Sequence, residues 1–224
     1  MEVQEPLETL QNYLQDHRNE MTKKYEAAIK EVYTRLAILK DDFRLLKKRD
    51  CISTIQTRIK ADTSILEKLT RKGMPMDLIS IYSKLDDIAG VRVICKFIDD
   101  IYMLAEKLSA QDDLVVVEIN DYIKNPKPNG YRSYHMVVEV PVLFAEGKKY
   151  VRVEIQIRTV AMDFWASLEH DIKYKKDSCE CEDIVKELKS CADTVAAADQ
   201  RMMELRDKVS QKHLQYQETV SSFV

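Results

Sequence analysis

Residues 58–72 combine cations with a hydroxyl group in a spacing that suits a phosphate chain. Ser64 and Lys68 are four residues apart and share one helix face if a helix starts at Thr63 or Ser64. Helix N-termini, hydroxyl groups and cations all bind phosphate oxygens. Surface helices are often basic as well, so this stretch alone leaves a purely structural interpretation open.

An acidic pair, Asp86-Asp87, precedes a β-branched segment that begins at Val91. A carboxylate at the edge of a strand can ligate Mg²⁺, which prefers one or two protein oxygens together with the oxygens of substrate phosphates. Without further context, a turn or capping role accounts for the pair as well.

The loop that ends at His135 has the composition of a base-binding segment. Gly130 permits a tight backbone turn, and the ring of Tyr131 would then be exposed as a stacking platform for a base. Lys127, Arg132 and His135 add charge and hydrogen-bond donors around that ring. Gly-Tyr steps are common in loops, but this density of donors is less common.

Residues 150–159 alternate strictly between apolar and polar side chains, which predicts a strand with two different faces. One face carries Val151, Val153, Ile155 and Ile157. The other face carries Arg152, Glu154, Gln156 and Arg158. Four long polar side chains are too many for an ordinary core. This face is therefore either exposed to solvent or part of a functional site.

The glycines and most prolines lie in the middle of the chain, which predicts two long helical flanks. Apolar residues recur along both flanks at the three- and four-residue steps of an amphipathic helix. The N-terminal stripe would make a rod about 60 Å long, which favours a break somewhere within it. Both stripes indicate core or an oligomer seam rather than a ligand site. The first stripe is Leu7, Leu10, Leu14, His17, Met21, Tyr25, Ala28, Val32, Leu36, Leu39, Phe43 and Leu46. The second is Val185, Leu188, Ala192, Val195, Met202, Leu205 and Val209.

The middle of the chain reads as alternating strands and a helix. Residues 91–97 and 114–119 predict strands around a helix at 99–110, which forms a β-α-β unit. Residues 134–142 and 150–159 predict a hairpin. We therefore expect an α+β fold with a mixed sheet, helices on one side and an open polar face on the other.

Composition excludes several classes of protein. The 224 residues carry 35 basic and 38 acidic side chains, a net charge of −3, which argues against a general nucleic-acid-coating protein. No apolar run approaches the ~20 residues that span a bilayer, and from the composition of the first residues we expect no secretory signal. We expect a cytoplasmic protein without a membrane partner. The five cysteines are an odd set without zinc-ligand spacing, and we expect reduced thiols.

Several motifs, in the right order, resemble the synthetase domain of the RelA/SpoT family. They are RIK…S…K at 58–68, DIAGVRVIC at 87–95, GYRSYH at 130–135, VEIQIRT at 153–159 and AMDFWASLEHDIKYK at 161–175. The whole chain resembles the small single-domain alarmone synthetases of that family. The resemblance implies transfer of the β,γ-pyrophosphate of ATP to the ribose 3′-hydroxyl of GDP or GTP, which yields ppGpp or pppGpp and AMP. It also implies a nucleotidyltransferase-like synthetase domain at 51–180, flanked by helices at 1–50 and 181–224.

The resemblance also implies roles for individual residues at matching positions. Asp87 and Glu154 correspond to the two acidic residues that bind Mg²⁺ and activate the acceptor hydroxyl. Arg58 and Arg92 correspond to the pair that sandwiches adenine, where planar guanidinium groups can stack. The ATP phosphates are assigned to Lys60, Ser64 and Lys68. The guanine nucleotide is assigned to Lys127, Asn129, Tyr131, His135, Gln156 and Asp163.

Two positions depart from the family pattern. Asp163 stands where close relatives often carry Asn, although either side chain accepts hydrogen bonds from guanine N1–H and N2–H. Residues 51–57 differ from the phenylalanine-containing segment of the allosteric alarmone site in some relatives, so the resemblance does not extend to activation by product.

Three other activities compete with this interpretation. The family contains hydrolases with a histidine-aspartate metal site, but the chain has a single HD pair, His170-Asp171, and we expect no hydrolase activity. A related pyrophosphotransferase acting on tRNA 3′ ends needs a basic acceptor side, which the net charge disfavours. An RNA-binding regulatory protein would not need both Asp87 and Glu154. By resemblance we expect a homotetramer, with single-stranded RNA as a further candidate regulator.

Overall fold

The structure is a computed structural model that describes residues 4–174 and 182–221, with side chains for 16–172, 183–212 and 215. The described residues form five strands and six helices. The strands are β1 (Ile52–Ile59), β2 (Ala89–Cys95), β3 (Val115–Asp121), β4 (Tyr134–Phe144) and β5 (Gly147–Thr159). The helices are α1 (Gln4–Lys47), α2 (Asp62–Arg71), α3 (Leu78–Lys84), α4 (Ile98–Ser109), α5 (Val160–Tyr174) and α6 (Glu182–Ser221).

The strands form one mixed sheet in the order β1-β2-β5-β4-β3. Only β2 and β5 pair in parallel, and the remaining pairs are antiparallel. The predicted α+β class and the β4–β5 hairpin are confirmed. The predicted β-α-β unit of β2, α4 and β3 is also present, but β5 and β4 lie between its two strands. Local patterning along the chain cannot reveal such an insertion, because it depends on pairing between distant segments.

The apolar face of the sheet packs against helices in one core. Val151, Val153, Ile155 and Ile157 are all at most 2% exposed, as the alternation along β5 predicts. The same core contains buried side chains from α1, α2, α3 and α4. The central stripe of α1 belongs to it through Met21, Tyr25, Ala28, Val32, Leu36 and Phe43.

The expected break in the N-terminal helix is wrong, since α1 runs without interruption from Gln4 to Lys47. Its stripe packs along β1, β2, β4 and β5, and this continuous apolar support stabilises a single long helix. His17 and Leu46 lie outside the packed part and are exposed. The side chains of Leu7, Leu10 and Leu14 lie outside the described residues.

The C-terminal stripe is only partly covered. Leu188 and Ala192 are buried in a second, smaller cluster with Trp165 and Ala166. Met202, Leu205 and Val209 continue the same stripe but are 47–67% exposed.

Two elements do not follow from the sequence pattern. β1 is an edge strand whose residues are mostly exposed, so it shows no clear apolar alternation. α3 has only seven residues, fewer than periodicity can identify. Helix α2 starts at Asp62, one or two residues before the predicted start.

No helix within the described residues is long and apolar enough to cross a membrane. Cys51, Cys95 and Cys191 are free thiols, and Cys179 and Cys181 lie outside the described residues. The division of the chain at residues 50 and 180 stays a prediction.

Candidate active site

The acidic pair before β2 divides between two different tasks. Asp86 accepts a hydrogen bond from Nη1 of Arg152 at 2.9 Å. Asp87 points toward α2, where its Oδ2 lies 2.7 Å from Nζ of Lys60 and 2.8 Å from Nζ of Lys68. Asp86 therefore makes an ion pair with β5, whereas Asp87 sits in a half-buried pair of lysines.

The carboxylate of Asp87 has one satisfied and one unsatisfied oxygen. Burial alone would raise its pKa, but the hydrogen bonds and charges of Lys60 and Lys68 outweigh burial and lower the pKa of Asp87. Its Oδ1 is buried and has no hydrogen-bond partner. A buried anionic oxygen without a partner is costly in a protein unless a ligand satisfies it.

Glu154 lies beside this carboxylate because β5 pairs with β2. In the register of these parallel strands Glu154 is the Cα partner of Gly90, three residues after Asp87. Its two oxygens accept from Nδ1 of His135 at 3.2 Å and from Nε2 of Gln156 at 2.7 Å. Burial and the charge of Asp87 raise the pKa of Glu154, but the hydrogen bonds from His135 and Gln156 leave it lowered overall. The two carboxylates thus converge at one end of the sheet.

This pair of carboxylates fits a Mg²⁺ ion. Mg²⁺ typically takes one or two protein carboxylates and completes its octahedron with phosphate oxygens and water. Oδ1 of Asp87 is an available oxygen ligand, and Glu154 supplies the second carboxylate nearby. Among the described residues there is no cluster of three or more His, Cys, Asp or Glu side chains that would form an all-protein metal cage.

Two arginines flank the start of β2. Arg58 on β1 is the Cα partner of Gly90, and a Cβ added at Gly90 would lie 3.3 Å from the Arg58 side chain. Arg92 follows two residues later and so projects from the same face. Burial, then the charges of Arg158 and Arg58, lower the pKa of Arg92, and its Nε is buried without a partner. Such a group of guanidiniums favours an aromatic or anionic ligand.

The loop from β1 to α2 lies against the segment that precedes β2. The amide of Lys60 donates to the carbonyl of Ile88 at 2.8 Å, which fixes this loop against the one before β2. Ser64 and Lys68 are one turn apart on α2, so their predicted common helix face is confirmed.

Helices α5 and α6 hold the loop between β3 and β4, residues 122–133, in place. We call this segment the acceptor loop, because the guanine nucleotide is predicted to bind there. Gly130 has φ +89°, and a Cβ at this position would lie only 2.5 Å from Cβ of Ala192 on α6. Asn129 donates from Nδ2 to Glu169 on α5 at 3.0 Å, and its Oδ1 accepts from the amide of Tyr131 at 3.2 Å. The glycine therefore permits both the left-handed turn and the close approach of α6.

The ring of Tyr131 differs from the expected exposed platform. It is half-buried and packs against the cluster formed by α5 and α6. Its hydroxyl lies 2.8 Å from Nε2 of His135 and accepts from Nη2 of Arg158 at 2.6 Å. Nζ of Lys127 lies 4.9 Å from the ring centroid. These contacts fix the orientation of the ring.

Arg132 does not surround this ring with charge, contrary to the sequence interpretation. Its guanidinium instead pairs with Asp193 on α6 at 3.0 Å and donates to the carbonyl of Gly130 at 3.1 Å. Arg132 therefore attaches the loop to α6, a role that requires a residue 61 positions away.

Asp163 lies in the first turn of α5, between the two groups of arginines. Its Oδ1 accepts from Nη1 of Arg158 at 3.2 Å and lies 3.5 Å from Nη1 of Arg92. The carboxylate thus links an arginine of the predicted adenine side to one on the predicted guanine side.

Sequence reasoning missed two residues of this site. Arg158, only 5% exposed, lies on the polar face of β5, and neither its spacing nor the family resemblance assigns it a role. Tyr122 packs edge-on against Tyr131 and His135, with ring centroids 6.1 and 5.2 Å apart. Its position in a polar loop gave no signal, whereas the excess of polar residues on β5 did. That face is hydrogen-bonded and largely shielded, so the solvated alternative is wrong.

Comparison with known proteins identifies relatives over nearly the whole chain. Residues 57–179 match the family described as a region found in RelA and SpoT proteins. GTP pyrophosphokinase YwaC of Bacillus subtilis is 39% identical over 203 residues, which are 91% of this chain and 96% of that protein. GTP pyrophosphokinase YjbM of the same organism is 38% identical over 187 residues, which are 84% and 87% of the two chains.

A solved structure agrees with this assignment. The small alarmone synthetase 1 of Bacillus subtilis, crystallised with its product pppGpp, superposes with a TM-score of 0.79 at 36% identity, covering 88% of this chain and 99% of that one. The family match covers more than half of the chain. This chain therefore belongs to the RelA/SpoT family.

Proposed function

We propose that this chain is a Mg²⁺-dependent GTP pyrophosphokinase that transfers the β,γ-diphosphate of ATP to the ribose 3′-hydroxyl of GDP or GTP. The convergence of Asp87 and Glu154 beside two lysines carries the proposal. The lysines can bind the negatively charged polyphosphate, and the carboxylates can bind the divalent cation that accompanies it. The relatives named GTP pyrophosphokinase, and the relative crystallised with pppGpp, support it.

ATP binds on the side of β1 and α2. The guanidiniums of Arg58 and Arg92 hold the adenine ring between them by stacking, which the flat shape of that group allows. Lys60, Ser64 and Lys68 bind the phosphate chain. Lys60 and Lys68 already lie within 2.8 Å of Asp87, so the same ammonium groups can bridge the carboxylate and the incoming phosphates.

GDP or GTP binds on the side of the acceptor loop. Tyr131 stacks on guanine, and Asp163 accepts from the N1–H and N2–H groups of the base. Lys127 and His135 lie beside the acceptor phosphates. Asn129 and Gln156 complete this side of the site, Asn129 by shaping the loop and Gln156 by its hydrogen bond to Glu154.

The reaction forms one bond and breaks one bond. The 3′-oxygen of the acceptor attacks the β-phosphorus of ATP, and the bond from this phosphorus to the α,β-bridging oxygen breaks, so AMP leaves. Glu154 takes the proton of the 3′-hydroxyl, which makes a poor nucleophile effective. Asp87 and Glu154 would hold Mg²⁺, which when bound neutralises charge on the phosphate chain.

Purified protein incubated with Mg²⁺, labelled ATP and either GDP or GTP tests the proposal. Thin-layer separation should show ppGpp or pppGpp together with an equal amount of AMP. Transfer of label to tRNA but not to free nucleotides would mean that the acceptor is tRNA and not a guanine nucleotide. No transfer to any acceptor would contradict the proposed function.

We further propose a cytoplasmic homotetramer. The exposed apolar residues of α6, Met202, Leu205 and Val209, support self-association, because contiguous apolar surface of this kind usually marks an interface. Regulation by single-stranded RNA stays a prediction.

A further inference from the structure

The geometry points to Arg158 as the positioning residue of the acceptor side, where its buried guanidinium closes a ring of hydrogen bonds that ends on both oxygens of Glu154. This inference rests on the proposed function and deepens it, since it says how the acceptor base and the catalytic carboxylate are held in one arrangement. The other members of the ring are Tyr131, His135 and Gln156.

The ring consists of two arms that leave one nitrogen. In the first arm, Nη2 of Arg158 donates to the Tyr131 hydroxyl at 2.6 Å, and this hydroxyl lies 2.8 Å from Nε2 of His135. Nδ1 of His135 then lies 3.2 Å from Oε1 of Glu154. In the second arm, Nη2 also donates to Oε1 of Gln156 at 3.1 Å, and Nε2 of Gln156 donates to Oε2 of Glu154 at 2.7 Å.

The two ends of the ring set the direction of its hydrogen bonds, because arginine can only donate and an ionised carboxylate can only accept. A guanidinium has five donors and no acceptor, so the Tyr131 oxygen and Oε1 of Gln156 must both accept from it. The Gln156 amide is then oriented with its NH₂ group toward Glu154. Glu154 can only accept, so the imidazole proton of His135 lies on Nδ1, facing the carboxylate, and Nε2 accepts from the Tyr131 hydroxyl. Glu154 therefore receives a donor on each oxygen.

The same guanidinium also fastens the elements around the ring. Nη1 donates to Asp163 on α5 at 3.2 Å, and Nε donates to Ser133 of the acceptor loop at 3.4 Å. Arg158 is 5% exposed, so its charge needs these partners to remain buried. A lysine at this position would keep the charge but not the planar fork that reaches four groups in different directions.

A positioning role predicts a specific kinetic pattern. Glu154 acts in the chemical step and Tyr131 binds the acceptor base, whereas Arg58, Lys60 and Lys68 bind ATP. Loss of the ring should therefore lower kcat and raise KM for the guanine nucleotide, with KM for ATP unchanged. A merely structural arginine would lower thermal stability without separating the two substrates.

Arg158→Gln and Arg158→Lys test this inference against the matched control Arg35→Gln. Arg35, on α1, makes a comparable bidentate ion pair, in which its two terminal nitrogens donate to the two oxygens of Asp113 at 2.8 Å. We expect both Arg158 variants to lose about 10–100-fold in kcat, the usual effect of removing a partner that orients a catalytic group. The Arg35 variant should lose stability only. Arg158→Lys with wild-type kcat and KM would overturn the inference, because charge alone would then suffice.

A second measurement does not depend on activity. In nitrogen-15 spectra at fixed pH, the His135 ring should show the Nδ1–H tautomer in the wild type and a mixture of tautomers in Arg158→Gln, with His135→Asn used to assign the signals. An unchanged tautomer in Arg158→Gln would overturn the ring. If the wild type forms no ppGpp or pppGpp, the proposed function fails, but this spectrum still decides whether Arg158 orders the ring.

Discussion

At the scale of single residues, chemistry concentrates where segments distant in sequence supply complementary groups. Asp87 comes from the loop before β2, its two lysines come from the loop and helix after β1, and Glu154 comes from β5. The arrangement keeps both carboxylates ionised despite burial, since the pKa values of Asp87 and Glu154 are lowered. Two buried anions remain close together only where nearby donors and cations compensate for them.

Tyr131→Ala should weaken the binding of the guanine nucleotide. A stacking face is worth about 1–3 kcal/mol, so KM for GDP or GTP should rise by about 5- to 150-fold. Tyr131→Phe keeps the stacking face but removes the hydroxyl between Arg158 and His135, so its KM should rise less than that of Tyr131→Ala. The exposed residue Tyr150 provides a control, since Tyr150→Ala should change neither constant. Steady-state kinetics with varied concentrations of GDP or GTP measure this KM. An unchanged KM in Tyr131→Ala would exclude Tyr131 as the stacking surface for guanine.

The sequence predicts the residue types of the site better than their contacts. Spacing and motif order identify Asp87, Glu154 and Tyr131, and the structure brings these residues into one region. Arg158 could not receive its role from the sequence, because its partners come from the acceptor loop, β5 and α5. Arg132 was misinterpreted for the same reason, as its partner Asp193 lies on α6.

At the scale of elements, α6 acts as the support of the acceptor loop. It approaches Gly130 so closely that no side chain fits between them. The carbonyl of Leu188 on α6 also accepts a hydrogen bond from Nε1 of Trp165 at 3.0 Å. Arg132 and Asp193 add an ion pair across the same contact. The geometry of the acceptor loop therefore depends on a helix that supplies none of the proposed catalytic residues.

Gly130→Ala should disturb both folding and acceptor binding. The backbone strain at positive φ and the contact with Ala192 should together lower the free energy of unfolding by about 2–5 kcal/mol. In an Ala192→Gly background the same substitution should cost less, since the close contact is absent there. Chemical denaturation of the four chains measures this coupling. Equal costs in both backgrounds would show that α6 does not press against the loop.

The buried carboxyl group of Asp199 on α6 should make the stability of the protein depend on pH. It is 7% exposed and accepts from the hydroxyl of Thr159, and burial raises its pKa above the unfolded value. The folded chain then binds this proton more readily than the unfolded chain, so the group's contribution to stability is complete below the unfolded pKa and is lost as pH rises through the folded pKa.

Asp199→Asn should therefore be more stable than the wild type at neutral pH, because the amide needs no ionisation in the buried position. The difference in Tm between the two proteins should grow as pH rises from about 4, near the unfolded pKa of aspartate. Thermal melts over this range make the comparison. A Tm difference that is constant with pH would mean that Asp199 does not titrate in this environment.

Which elements form was predictable where apolar periodicity was strong. The alternation of β5 and the inward face of α4 agree with the structure, and Ile101, Leu104 and Leu108 are fully buried. β1 was missed because most of its residues are exposed and its register is irregular between Ile52 and Thr54, so its apolar residues do not alternate. The break expected in α1 was wrong because the support for this helix comes from the sheet and not from its own sequence.

At the scale of the whole molecule, one sheet separates a core from the face that carries the candidate site. The apolar sides of the strands bury against α1 to α4, and the polar sides carry the site. The stripe on α6 continues past its packed part as exposed Met202, Leu205 and Val209. This exposed part is the surface on which the proposed tetramer depends.

Met202→Asp combined with Leu205→Asp should dissociate the proposed tetramer, because a charge in an apolar interface costs more free energy than the contact returns. Arg201→Glu changes an exposed residue of the same helix and serves as the control. Light scattering measures the mass of each protein. A tetramer that persists in the double variant would exclude this stripe from the interface, and a monomeric wild type would contradict the proposed assembly.

The comparison that tests the central claim most directly uses two adjacent aspartates with different partners. Asp87→Asn removes the carboxylate with the unsatisfied buried oxygen, whereas Asp86→Asn affects only an ion pair with Arg152 in this region. With ATP, Mg²⁺ and GDP or GTP, Asp87→Asn should lower the rate of ppGpp or pppGpp formation at least ~100-fold, while Asp86→Asn stays close to the wild type. Equal rates in the two variants would contradict a catalytic centre at Asp87.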